Sequence, residues 1–210
     1  METVAVNIAE KIEVIGNISQ DDLDFIIEAY ENDDFISKFD TIGSGTYGRV
    51  FGYKDYAMKR FKDKNNARNV DIEVLKDLQH LDCIPKIYAT INDEVIIMER
   101  IHGVTVKDYC ERDKTMGVEI DKTFLDLWDE ALISVIKSGY SPDDLHESNV
   151  MIDIKTVTPK FVDVGYFFKH GKDDSYTDIH TMRRDYGYSR AEMWTGTAIK
   201  AHLRRKGINY

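Results

Sequence analysis

The spacing of hydrophobic residues changes period several times along the chain, and each change predicts an element. In SQDDLDFIIEAY, Leu23, Ile26, Ile27 and Tyr30 fall on one helical face, Ser19 suits the N-cap, and acids crowd the first turn. From Thr41 to Phe61 the pattern becomes short strands around a glycine loop, with a tight turn at Lys54-Asp55. Val70, Val74, Leu75 and Leu78 return to helical spacing and predict a helix over residues 66–81, followed by short strands at IPKIYATI and EVIIMERI. After Gly103 helices dominate. TVKDYCERD opens on a capping threonine, and TFLDLWDEALISVIKSG is strongly amphipathic, closing on Lys137 and Gly139. A polar loop, SPDDLHESN, then leads into two apolar runs, VMIDI and KFVDV, which read as a hairpin. Ser189 with Glu192 makes a capping box for a last helix that stops at Gly207. The expected fold class is α+β: an acidic helical extension over residues 1–39, then a two-lobed domain over 40–210, β-rich first and helical afterwards.

Composition changes that picture little. With 210 residues, 42% apolar and 31% charged, the chain fits one two-lobed domain with a sizeable core. No window approaches the roughly 18 uncharged apolar residues of a membrane span, and acids interrupt the apolar start METVAVNIAEKIEVIG, unlike a secretory leader. Cys83 and Cys110 match no metal or redox spacing and read as core-filling thiols, so a cytoplasmic location is expected. The net charge of -10 is uneven: residues 1–40 hold eleven acids against Lys11 and Lys38, whereas 183–210 hold seven Arg/Lys against Asp185 and Glu192. An overall acidic balance with so short a basic patch argues against a nucleic-acid binder, and both ends read first as solvated helical faces.

The chemistry sits in four stretches. Gly43, Gly45 and Gly48 form G-x-G-x-x-G, but strand-like sequence follows rather than a helix, which fits a hairpin closing over phosphates better than a dinucleotide-binding turn. In YAMK, Lys59 stands where the pattern predicts burial, and a buried ammonium needs a counter-charge. Glu73 on the next helix is the expected partner, with Asp71 and Asp77 as competitors. In DLHESN, Asp144 could take a hydroxyl proton and Asn149 could bind Mg²⁺ through its carbonyl, although both types are also ordinary turn formers. In FVDVG, Asp163 ends an apolar run beside a glycine, as a carboxylate that bridges metal ions and phosphates would.

Taken in order, with the hinge-like IIMERIHG between them, these stretches resemble the protein kinase superfamily across roughly residues 40–170. The resemblance implies a protein kinase-like fold with an N-lobe over 40–98, a hinge over 99–103 and a reduced C-lobe over 104–210. It implies ATP and Mg²⁺ as cofactors. The glycine-rich loop would be Gly43, Ser44, Gly45, Thr46 and Gly48, with Ile42, Val50 and Ala57 around adenine, Met98 as gatekeeper, and Glu99 and Ile101 offering hinge backbone bonds. Lys59 with Glu73 would position ATP, Asp144 would act on the acceptor hydroxyl, and Asn149 and Asp163 would hold magnesium.

Departures refine the expectation. Pro142-Asp143-Asp144 replaces His-Arg-Asp, His146 stands where protein kinases place lysine, Val164 replaces phenylalanine, and no Ala-Pro-Glu follows Gly165. A minimal, atypical kinase phosphorylating Ser or Thr of a protein is the leading reading. His146, similar to aminoglycoside and choline phosphotransferases, keeps a small-molecule acceptor open, and the lost His-Arg pair keeps a nucleotide-binding scaffold open. A protein substrate or regulatory partner is expected, with Arg204, Arg205 and Lys206 as a docking patch for acidic chemistry. Thr46 and Tyr47 match the sequence at which cyclin-dependent kinases are inhibited by phosphorylation, which reads as a coincidence of loop composition. Ser175, Tyr176, Thr177 and Thr181 are candidate autophosphorylation sites by position.

Overall fold

The computed structural model describes residues 11–62, 70–112, 115–170 and 192–210. Ser175, Tyr176, Thr177, Thr181 and the expected cap Ser189 lie outside these residues, as do the first four residues of the helix expected over 66–81. The chain divides into two compact units, Met1–Asn69 with Lys86–Arg100, and Val70–Pro85 with Ile101–Tyr210.

The first unit is a six-stranded antiparallel sheet in the order β1-β5-β6-β4-β3-β2. Its strands are β1 (Ile12–Val14), β2 (Asp40–Ser44), β3 (Gly48–Tyr53), β4 (Tyr56–Phe61), β5 (Ile87–Ile91) and β6 (Val95–Glu99). The turn between β3 and β4 is the expected Lys54-Asp55, with Lys54 at φ 49 and Tyr53 opposite Tyr56. Two helices serve this unit, α1 (Gln20–Glu31) and the short α2 (Phe35–Lys38). The Ser19 hydroxyl accepts from the Asp22 amide at 3.2 Å, so the α1 cap forms as the sequence predicts. The buried face of α1 is Leu23, Ile26 and Ala29, with Ile27 and Tyr30 only partly covered. These side chains cluster with Phe35, Phe39, Phe51, Met58, Ala89, Ile91, Val95 and Ile97, so the helices and one face of the sheet make the core. Edge-to-face packing of Phe35 on Phe51, with ring centroids 5.4 Å apart, joins α2 to β3.

One element departs from the helical extension expected over residues 1–39. Ile12–Val14 is a strand, paired in register with Ala89–Ile91. Three residues are too few for a helical turn with its own caps, whereas β5 offers an unpaired row of backbone groups that these residues satisfy.

The second unit is mainly helical: α3 (Val70–Leu78), α4 (Val106–Arg112), α5 (Lys122–Lys137), a π-helical turn at Glu192–Gly196 and α6 (Thr197–Arg205). Asp121 caps α5 by accepting from the Thr123 and Phe124 amides, and Gly139 at φ 95 ends it. From α5, Phe124, Leu125, Trp128, Leu132, Val135 and Ile136 are buried, and the Trp128 ring meets Phe161 edge-on at 5.5 Å. The expected hairpin is present as β9 (Val150–Asp153) and β10 (Pro159–Phe161), widened to three strands by β7 (Gly103–Thr105) on β9. A further pair, β8 (Tyr140–Ser141) with β11 (Phe168–Lys169), was not legible in the sequence. α3 belongs to this unit although the linear reading grouped it with 40–98. Its neighbours explain the assignment: the Cys83 carbonyl accepts from the Phe161 amide at 2.8 Å, and Lys169 binds two α3 carboxylates.

Candidate functional site

In the first unit the strand register places the expected nucleotide-binding residues. Lys59 lies opposite Val50 on β3 and Ile96 on β6, and Ala57 lies opposite Gly52 and Met98. Alternation therefore puts Val50, Ala57, Lys59 and Met98 on one sheet face, while Phe51, Met58 and Ile97 point into the α1–α2 core. Lys59 is 8% exposed, so it is an inner-sheet residue and not an edge lysine. Its Nζ stands 5.5 Å from the Phe61 ring centroid. Ile42 sits at a register shift between β2 and β3 and is exposed. The Glu99 amide donates to the Lys86 carbonyl at 2.8 Å, which leaves the Glu99 carbonyl as its hinge-type backbone group. Ile101, buried, begins the next stretch of the second unit.

The loop GSGTYG links β2 to β3. The Gly45 amide donates to the Gly48 carbonyl at 2.9 Å, and Lys62 grips the tip: its Nζ donates to the Gly45 carbonyl at 2.6 Å and its amide to the Tyr47 carbonyl at 2.9 Å. The glycines differ in what requires them. A Cβ on Gly48 would stand 2.6 Å from the Arg60 carbonyl oxygen, so strand pairing itself demands glycine there. A Cβ on Gly45 would meet nothing within 4 Å, so the protein's own packing makes no such demand. Ser44 ends β2, while Thr46 and Tyr47 are exposed at the tip.

In the second unit the loop at 144–149 is held at nearly every carbonyl. Asp144 has φ 56, in the left-handed region, and its carbonyl accepts from the His146 amide at 2.9 Å and from Asn149 Nδ2 at 2.8 Å. The His146 carbonyl accepts from the Asn149 amide, and the Glu147 carbonyl from the Lys107 amide at the start of α4. His146 Nδ1 accepts from the Ser148 amide at 3.2 Å, which assigns the ring proton of the neutral imidazole to Nε2. The Asn149 carbonyl accepts from the Val162 amide at 3.0 Å, directly before Asp163. Asp144, Asn149 and Asp163 are thus brought together by backbone bonds. Asp163 Oδ1 faces the Gly165 amide at 3.5 Å. With its amide donor committed to Asp144, Asn149 has a carbonyl oxygen with the hard-ligand chemistry that magnesium prefers. Among the described residues no group of three or more His, Cys, Asp and Glu is placed to hold a metal. A magnesium site completed by phosphates and water requires only one or two protein oxygens, and Asn149 with Asp163 fits that need.

The acids of α3 divide differently from the expectation. Glu73 is exposed, and its carboxylate accepts from Lys169 Nζ at 3.1 Å. Lys169 also reaches Asp77 at 2.9 Å, whose carboxylate takes the Tyr140 hydroxyl at 2.6 Å. These carboxylates raise the Lys169 ammonium above its ordinary range, and burial together with Asp77 pushes the Tyr140 phenol up to about 12. The buried α3 acid is Asp71, 5% exposed, with its Oδ2 2.7 Å from where a Cβ on Gly165 would lie. That close approach requires glycine after Val164 and sets a second carboxylate beside the Asp163–Gly165 turn. Sequence spacing offered Asp71 only as a competitor, because its approach to Gly165 is a tertiary contact that spacing does not show. Thr195, completely buried on the π-helical turn, donates its hydroxyl to the Leu145 carbonyl at 2.6 Å and had no sequence signal at all.

Residues 63–183, more than half of the chain, match the ABC1 atypical kinase-like domain family. The chain belongs to this family. It is therefore a member of the protein kinase-like superfamily, as its motif order indicated. No curated protein matches the chain. The ABC1 match includes α3, the 144–149 loop and Asp163, whereas the glycine loop and Lys59 precede it. Kinase-like chemistry and nucleotide binding are the general character of such a domain.

Proposed function

We propose that this ABC1-family chain transfers the γ-phosphoryl group of ATP, with Mg²⁺, to a Ser or Thr hydroxyl of a protein. The observation that carries the reading is the convergence of Asp144, Asn149 and Asp163 through the Asn149–Asp144 and Val162–Asn149 hydrogen bonds. Asp144 orients the acceptor hydroxyl and takes its proton. Asn149 and Asp163 would hold magnesium through their side-chain oxygens, and the bound ion would neutralise phosphate charge. Lys59 offers a fixed ammonium to the phosphates, from a face that also carries Val50, Ala57 and Met98 for a flat apolar base. The open position at Gly45 supports close approach of a ligand to the loop backbone. We assign the helix-acid role to Asp71, since Glu73 is exposed and engaged by Lys169. The reading comprises two lobes, one for each unit, with a hinge at 99–103.

Two buried free thiols support a cytoplasmic site of action, with burial pushing Cys83 up to about 11 and Cys110 up to about 12. No helix among the described residues is long and apolar enough to cross a membrane. Exposed Arg204, Arg205 and Lys206 at the end of α6 favour an acidic substrate or regulatory protein.

The test is incubation with γ-labelled ATP and Mg²⁺, with and without a generic acceptor protein, beside Asp144→Ala and Asp163→Ala. Label on protein that disappears in both variants is expected. A second reading, a small-molecule acceptor, is favoured by His146, which leaves Nε2–H free to meet a compact polar substrate. ATP turnover stimulated by an amino alcohol or sugar, with no labelled protein, would replace the first reading with the second. Tight nucleotide binding without any turnover would leave a scaffold.

A further inference from the structure

We propose that Thr195 is a positioning residue for Asp144, acting through the peptide of Leu145. The inference rests on the role given to Asp144 above. Asp144 holds φ 56, a conformation that non-glycine residues keep only when their surroundings enforce it. Within the loop, the carbonyls of Asp144 and His146 are taken by groups of the loop itself, and that of Glu147 by α4. The Leu145 carbonyl, next to Asp144, is taken instead by a side chain 50 residues further along the chain. Both residues are completely buried, so water cannot replace either partner.

The π-helical turn is what delivers the hydroxyl. An extra residue in the turn rotates the side chains that follow, and such turns occur where a helix must aim one group. Here Thr195 meets the loop, while α6 continues beyond it and packs on α4: His202 lies 4.9 Å from the Tyr109 ring, and Arg205 donates to the Cys110 carbonyl at 2.8 Å. The Leu145 side chain is itself fully buried. A buried side chain on one side and a held carbonyl in the Leu145–His146 peptide on the other leave Leu145 no room to turn, and Leu145 in turn holds the backbone of Asp144 from which the carboxylate projects.

The decisive comparison is Thr195→Val, which keeps the shape and removes the donor, against Thr195→Ser, which keeps the donor. Amide hydrogen exchange is read at His146 and Asn149, whose N–H groups bond within the loop, with the amides of α5 as internal reference. T195V is expected to exchange about tenfold faster at both loop amides with α5 unchanged, and T195S to stay near wild type. Under the phosphotransfer reading, T195V also loses about tenfold in kcat while KM for ATP stays within about twofold, because Asp144 is misdirected and the nucleotide site is not. Unchanged loop exchange in T195V overturns the proposal, as does a rise shared equally by α5, which would mark Thr195 as a general packing residue. A wild-type chain without phosphotransfer would remove the function proposed above, and exchange alone would then decide the positioning. Should T195V not fold, Thr195→Cys against Thr195→Ser makes the same comparison with a weak donor in place of a strong one.

Discussion

The sheet face around Lys59 in the first unit and the loop around Asp144 in the second each carry candidate residues, and they are held by different means. On the sheet, register decides everything: opposite Val50 and Ile96, Lys59 has no freedom to face the other way without turning every neighbour with it. In the loop no repeat acts. A left-handed aspartate accepts from Asn149, and the residues that follow it are held by α4 at Glu147 and by Thr195 at Leu145. The first arrangement tolerates change at most single residues, Gly48 excepted, because the ladder survives it. The second depends on single side chains, so that damage should be local and large.

The sharpest break in that comparison is on the loop side. Asp144→Asn and Asp163→Ala are each expected to lower turnover by about a hundredfold or more, with thermal unfolding close to wild type. Turnover within about twofold of wild type in either variant would remove that residue from the chemistry. Next, Asp71→Asn should cost about tenfold in turnover, whereas Glu73→Gln, an exposed acid, should leave it within about twofold. The reverse order would return the helix-acid role to Glu73.

On the sheet side the glycines separate packing from ligand contact. Gly48→Ala forces a methyl onto the Arg60 carbonyl and should destabilise by about 1–3 kcal/mol in denaturant titrations. Gly45→Ala should leave stability nearly unchanged and weaken nucleotide binding instead. Loss of stability at position 45 equal to that at 48 would show that both glycines serve the fold alone.

The smallest effect concerns Asp22, whose carboxyl is held below its ordinary value of 3.8, first by Lys54 and then by Ser19. A lowered folded pKa gives stability that is complete above that ordinary value and fades as pH falls through the lower one. Asp22→Asn should therefore lower stability slightly near neutrality, with the difference from wild type shrinking as pH falls, so that the acid limb of the stability–pH curve is flattened. An unchanged acid limb would show that the Lys54 contact contributes nothing.

The same contrast explains what could be read before any coordinates. Leu23, Ile26 and the Ser19 cap, the Lys54-Asp55 turn, the α5 face and the β9–β10 hairpin are set by local periodicity and turn chemistry, and each formed where the sequence pointed. Lys59 was legible for the same reason, since a charge in an alternating apolar strand is conspicuous. The placements of Asp71 and Thr195 were not, because they are set by tertiary neighbours, Gly165 and Leu145, which no spacing rule connects to them. The strands β1, β8 and β11, of two or three residues, carry too few positions to show a period at all. The helix α3 ends before the expected residue 81 for a related reason: its apolar face ends at Leu78, and residues after it turn toward the Cys83–Phe161 bond.

The strand β1 has a consequence for solubility. Among the described residues, the outermost place in the six-stranded sheet beside β5 is taken by three residues, with exposed Val14 and acidic Glu13 among them. So short and charged a rim gives a second chain little to pair with. Removing residues up to Val14 would bare the backbone row of Ala89–Ile91, an open strand edge with which another copy of the protein could pair. The first visible sign of that loss would be turbidity, before any change in the core.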